Sequence, residues 1–147
     1  MNAKSKLYID IDGVLLGQRA EDYSVCLAAG VREFLEYVLE HFDCYWLTSR
    51  ANHGDAAPAL EALKPFGNGA VIELARKIKP TRWRTLKTEA LDLKGDFYWL
   101  DDQLFWNERE ILEDRGCLDR WIRVDTRDDL KDLIRVQRYL AGLIEKI

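Results

Sequence analysis

Four aspartates and a threonine stand where a chain could handle phosphate. Asp10-Ile11-Asp12-Gly13 follows the apolar run Leu7-Tyr8-Ile9, and Thr48-Ser49-Arg50 follows Cys44-Tyr45-Trp46-Leu47. Asp101-Asp102 follows Phe97-Tyr98-Trp99-Leu100. Carboxylates gathered in one place repel one another and raise each other's pKa, so a cluster of four without compensation implies a bound cation. Hard oxygen ligands favour Mg²⁺, which binds through a few carboxylates and keeps positions for a substrate phosphate. Gly13 lets the backbone turn sharply away from such a crowded polar site.

These residues meet only if the strands that carry them lie side by side. Short apolar runs alternate with amphipathic ones along nearly the whole chain. Leu7–Ile9, Cys44–Leu47, Ala70–Ile72, Phe97–Leu100 and Trp121–Val124 read as five strands. Val31–His41, Ala56–Leu63, a segment ending near Leu93, and Asn107–Asp114 read as helices. Thr126, with Asp129 three residues on, predicts the cap of a last helix reaching Ile144. Strands alternating with helices imply parallel pairing, since parallel strands need a crossover. The expected fold is therefore α/β: a doubly wound, Rossmann-like, five-stranded parallel sheet with helices on both faces. Residues 1–147 then form one domain, with ligands at the carboxyl ends of the strands.

Each element alone has a plainer reading. Asp10 and Asp12 suit a turn, Thr48 a strand-end hydroxyl bond, and Asp101-Asp102 the cap of the helix near Asn107. Any one of these is common in a chain with 15 aspartates. Their order at the ends of three strands, the first, second and fourth, is not.

Composition bounds the rest. The 147 residues are 48% hydrophobic and 11% aromatic, too apolar for a disordered chain and long enough to build a core without disulfides. Cys26, Cys44 and Cys117 are odd in number and widely spaced, which suggests neither a disulfide framework nor a zinc site. The formal charge of −4 argues against a surface coated for nucleic acid, though not against a local basic patch. No apolar run is long enough to span a bilayer and no signal peptide is apparent, so a cytoplasmic protein with no membrane partner is expected.

Asp10-Ile11-Asp12-Gly13-Val14-Leu15 resembles the first motif of the haloacid dehalogenase-like superfamily of phosphohydrolases. Trp46-Leu47-Thr48 and Trp99-Leu100-Asp101-Asp102 are similar to its second and fourth motifs, and the likeness runs in order along the whole chain. The short form of these motifs looks like the small phosphatase-like domains associated with RNA repair. The resemblance implies Asp10 as nucleophile and Asp12 as general acid and then base. It places Mg²⁺ on Asp10, the carbonyl of Asp12 and Asp102, with Asp101 either a further ligand or a hydrogen-bond partner of one, and a phosphoryl oxygen on Thr48. It also implies a lysine before the fourth strand: Lys87 if the preceding helix starts near Thr85, Lys79 if it starts near Thr81, with Lys87 preferred. The spacing of the motifs leaves no room for a cap domain, and Val14–Gly30 makes at most a flap. In this superfamily that goes with an open site and often with macromolecular substrates, or with a neighbouring subunit as lid.

Arg76 to Lys87 holds six basic residues and no acidic one. It reads either as a solvated face or as a guide for a polyanion, with Trp83 free to stack on a base. Gly13, Ser49, Arg50, Lys79 and Arg84 are the candidate substrate contacts. The expected partner is a phosphorylated substrate, small molecule or nucleic-acid end. Two alternatives share these residues: a receiver-like domain phosphorylated on Asp, and a non-catalytic phosphate- or nucleic-acid-binding domain. A receiver's phosphorylated Asp follows its third strand, whereas the third apolar run here leads into Glu73-Leu74-Ala75.

Overall fold

A computed structural model describes residues 3–145. The elements run β1 (Lys6–Ile9), β2 (Leu16–Gln18), β3 (Val25–Leu27), α1 (Val31–His41), β4 (Asp43–Trp46), α2 (Ala57–Leu63) and α3 (Gly69–Ala75). They continue with a 3₁₀ turn (Lys87–Ala90), β5 (Phe97–Asp101), α4 (Trp106–Asp114), a second 3₁₀ turn (Leu118–Arg120), β6 (Trp121–Arg123) and α5 (Asp132–Glu145). The fold is α/β. Four strands form a parallel sheet in the order β4-β1-β5-β6, and β2 and β3 form a separate antiparallel hairpin.

The register aligns Ile9 with Trp46 and with Leu100, so β1, β4 and β5 end at one level. Alternation of side chains then sorts the core into two faces. Leu7, Ile9, Trp46, Leu100 and Ile122 pack with α1, α3 and α5, whereas Tyr8, Phe97 and Trp99 pack with Leu112 of α4 and with Trp83 and Leu91. Burial on both faces explains the lack of polar alternation in these strands. α1 follows its periodicity, with Val31, Phe34, Leu35 and Val38 buried at i, i+3, i+4 and i+7.

The third of the five expected strands is absent among the described residues, because Ala70–Ile72 lies inside α3. There the Asn68 side chain caps the helix by accepting the Val71 amide at 3.0 Å, and Val71, Ile72 and Ala75 share its buried face. Beside β4 the sheet instead gains one residue. The Lys79 amide donates to the Cys44 carbonyl, and the Trp46 amide donates to the Lys79 carbonyl. Pro80 follows at once and has no amide with which to extend the ladder.

The helix expected to end near Leu93 is also replaced, by an irregular segment with one 3₁₀ turn. Glu89 folds it: its carboxylate accepts the amides of Arg84, Thr85 and Leu86. Thr126 does not cap α5, which starts at Asp132. It is buried, donating its hydroxyl to the Leu16 carbonyl at 3.3 Å and its amide to the Gly13 carbonyl at 2.9 Å. Val14–Gly30 holds the β2–β3 hairpin, a flap in size. Among the described residues no helix is long and apolar enough to cross a membrane.

Candidate active site

Because β1 and β5 are adjacent and in register, the residues that follow Ile9 and Leu100 face each other. Asp10 and Asp101 are both buried, 6% and 1% exposed, in a cleft of about 360 Å³ at the carboxyl end of the sheet. Lys87 bridges them. Its Nζ donates to Asp10 Oδ2 at 2.9 Å and to Asp101 Oδ2 at 2.6 Å. Asp10 Oδ1 accepts the Ile11 amide at 2.7 Å, and Asp101 Oδ1 the Gln103 amide at 3.3 Å. Burial and the charge of Asp10 push the Asp101 carboxyl up to about 8, against the lowering pull of Lys87. For Lys87, burial lowers the pKa, but the two carboxylates outweigh it and leave the ammonium above its ordinary value.

Asp102 faces the same cleft, and its Oδ2 accepts from Arg127 at 2.9 Å. Gly13 makes room for it. With φ +80°, Gly13 occupies the left-handed region, and a Cβ there would fall 2.3 Å from Asp102 Oδ2. Asp12 sits at the rim, where Arg50 holds it in a two-pronged pair, Nε to Oδ2 at 2.6 Å and Nη2 to Oδ1 at 2.9 Å. That hydrogen-bonded guanidinium keeps the Asp12 carboxyl below the ordinary carboxylate range.

One oxygen from each of Asp10, Asp101 and Asp102 lies within 4.8 Å of the others. Opposite corners of a Mg²⁺ octahedron are about 4 Å apart, so this trio is compact enough to hold such an ion with small adjustments. The carboxylates are not uncompensated, however, as the sequence suggested: Lys87, Arg50 and Arg127 each pair with at least one of them. Crowding alone therefore does not require the ion.

The structure gathers Asp10, Asp12, Ser49, Lys87, Asp101 and Asp102 around the cleft, with Gly13 beneath Asp102. Of the two candidate lysines, Lys87 lines the cleft and Lys79 does not. Lys79 pairs with Asp43 at the opposite end of β4, 2.9 Å away. Thr48 is fully buried and its hydroxyl accepts the Arg50 amide at 3.2 Å, so it is Ser49 that lines the cleft. Arg84 is exposed and outside the cleft, with its amide bound by Glu89.

Nor does the basic run form one patch. Arg76 pairs with Glu73, Lys79 with Asp43, Arg82 lies against Gly54, and only Lys87 turns inward. Trp83 touches the cleft but is mostly packed in the second core face, not free to stack.

Arg127, Glu108 and Phe105 are among the cleft residues that escaped the sequence. Arg127 lies in a charged stretch with no periodicity to mark it. Glu108 reads as a solvated helix residue, yet it is 2% exposed, accepting the Lys87 amide at 3.0 Å and the Phe105 amide at 3.2 Å. It thereby ties the lysine's loop to the start of α4. Phe105 lines the cleft while half exposed. Compared with known protein families and with curated proteins, the sequence has no match.

Proposed function

We propose that the chain is a phosphomonoesterase of the haloacid dehalogenase-like type, dependent on Mg²⁺ and working through an aspartyl-phosphate. The observation that carries this reading is Lys87, set between two buried carboxylates at the ends of adjacent parallel strands in an open cleft. Asp10, Asp101 and Asp102 would hold the ion, which when bound neutralises charge on the phosphoryl group. A carboxylate oxygen of Asp10 forms a bond to phosphorus as the ester P–O bond breaks, and the leaving oxygen takes the electron pair and a proton from Asp12. Water then attacks phosphorus, gives a proton to Asp12, and the Asp10–phosphorus bond breaks to release inorganic phosphate. Lys87 orients Asp10 and stabilises negative charge developing beside it. In the arrangement seen here Asp12 is held ionised by Arg50, so its first proton transfer requires that guanidinium to turn toward the substrate phosphate.

Asp10→Asn should abolish Mg²⁺-dependent hydrolysis of p-nitrophenyl phosphate while leaving the circular dichroism spectrum and melting temperature close to wild type. Absence of hydrolysis by the wild-type protein over nucleotides, sugar phosphates and 5′- or 3′-phosphorylated oligonucleotides refutes the reading.

A receiver-like reading gains one observation. With Ala70–Ile72 in a helix, the third parallel strand along the chain is β5, which ends in Asp101. Treatment with acetyl phosphate separates the two readings. A long-lived phosphoryl group mapped to Asp101 supports the receiver, and a short-lived one on Asp10 supports the phosphatase.

A further inference from the structure

The cleft offers more than a phosphate site. Phe105 lines it, 54% exposed, and Trp106 beside it in sequence is 72% exposed. They are two of the few large apolar side chains left in water among the described residues, and both stand at the start of α4. Phe105 stands four positions after Asp101, so its Cα lies within about 14 Å of the Asp101 Cα. Its position is fixed: Glu108 takes the Phe105 amide and the Lys87 amide on its two oxygens, so aromatic ring and lysine are mounted on one buried anchor. Arg127, on the same cleft, adds positive charge about half exposed to solvent.

Cations and acids in the floor with an aromatic ring at the lip fit a ligand that joins a phosphate to a flat apolar group. We infer that Phe105, with Trp106 beside it, is a stacking platform that selects nucleoside phosphates, the base resting on the aromatic while the phosphate sits by Lys87. The assignment rests on the phosphatase reading for the position of the phosphate and deepens it by naming the substrate class. At about 360 Å³ the cleft is near the small end of ligand sites, suited to one nucleotide unit, free or terminal, and not to several. Base–aromatic stacking accepts any base, so selectivity among bases is not expected.

The test compares kcat/KM for 5′-AMP, 3′-AMP, ribose 5-phosphate and a 5′- or 3′-phosphorylated decanucleotide in wild type, Phe105→Ala and Trp106→Ala, all with Mg²⁺. Binding of 5′-AMP and ribose 5-phosphate to Asp10→Asn, with and without Phe105→Ala, is measured in parallel by calorimetry. The platform predicts a preference for nucleotides over ribose 5-phosphate. That preference falls roughly 5- to 150-fold when Phe105 is removed, and by less when Trp106 is removed. Preference for 5′-AMP or 3′-AMP over the decanucleotide identifies a free nucleotide, and the reverse a nucleic-acid end. Both side chains are exposed, so melting temperatures near wild type will show that the variants fold. Equal use of ribose 5-phosphate and nucleotides, unchanged in Phe105→Ala, overturns the platform and leaves the phosphatase standing. Preferential binding of 5′-AMP that depends on Phe105, without hydrolysis of any ester, overturns the phosphatase and leaves the platform.

Discussion

Replacing Lys87 with Met removes the one ammonium that two buried carboxylates share. Its side chain is 15% exposed, those of Asp10 and Asp101 9% and 2%, so solvent can do little to take its place. Breaking a buried pair by deleting one partner costs on the order of 3–5 kcal/mol, because an unpaired charge stays behind. For a domain of this size each kcal/mol lowers the melting temperature by about 2–4 °C, giving a loss of roughly 6–20 °C. The loss must depend on pH. Asp101 already has a raised folded pKa, about 8 against 3.8, so the folded state keeps a proton that the unfolded chain gives up. Stability contributed by such a group is greatest at acid pH and is lost as pH rises through that window. Without Lys87 the carboxyl rises further, so the variant's deficit is small near pH 5 and largest near pH 8–9. On the proposed reading Mg²⁺ binds the folded state alone, so it should raise the variant's melting temperature more than that of wild type. Thermal melts from pH 5 to 9, with EDTA and with Mg²⁺, check this. A melting temperature equal to wild type, or a deficit of the same size at every pH, refutes the electrostatic account and leaves only lost packing.

Gly13→Ala places a methyl group where the Asp102 carboxylate now lies and forces a left-handed backbone that costs about 1–2 kcal/mol. Its melting temperature should fall by only a few degrees, whereas hydrolysis should fall at least tenfold and approach that of Asp102→Asn; retention of wild-type activity would detach Asp102 from the chemistry. Glu108→Gln leaves an acceptor for only one of the two amides now bound and turns an NH₂ toward the other, at about 1–3 kcal/mol. Since Glu108 acts through Lys87, kcat should drop with KM for p-nitrophenyl phosphate little changed, and Glu108→Asp should restore part of it. A variant that is less stable but has wild-type kcat would make Glu108 structural alone.

β1, β4 and β5 are legible because each is an apolar run closed by a polar residue, and burial on both faces removes any competing helical period; β6, at the sheet edge with Arg123 exposed, is legible from Trp121, Ile122 and Val124. Where those runs end, Asp10, Asp12, Thr48, Asp101 and Asp102 could be placed. Ala70–Ile72 misleads because three apolar residues fit a strand or a helix equally, and Asn68, three positions before Val71, decides for the helix. β2 and β3 are three residues each, too short for alternation to show. Lys79 and Lys87 are alike in composition and differ only in which end of the sheet they reach. That depends on Pro80 and on the turn that Glu89 builds. The ion pairs Arg50–Asp12 and Arg127–Asp102 span 38 and 25 residues, and nothing local announces them.

Those pairs change which observation the functional reading depends on. Four carboxylates face three cations within the chain, Lys87, Arg50 and Arg127, so even with all four ionised the cluster carries one uncompensated negative charge instead of four. Structural ion networks achieve the same balance, and at the exposed rim they contribute little stability. Arg50–Asp12 and Arg127–Asp102 belong to that class, since both guanidiniums are nearly half exposed. Lys87 does not. A lysine buried between two acids that are themselves buried adds desolvation for three groups, and a stable core is more simply filled with apolar side chains. That expense is understandable where a cleft must hold one oriented ammonium beside a reactive carboxylate. It is the burial of Lys87, more than the number of aspartates, that sets this cleft apart from a surface of paired charges.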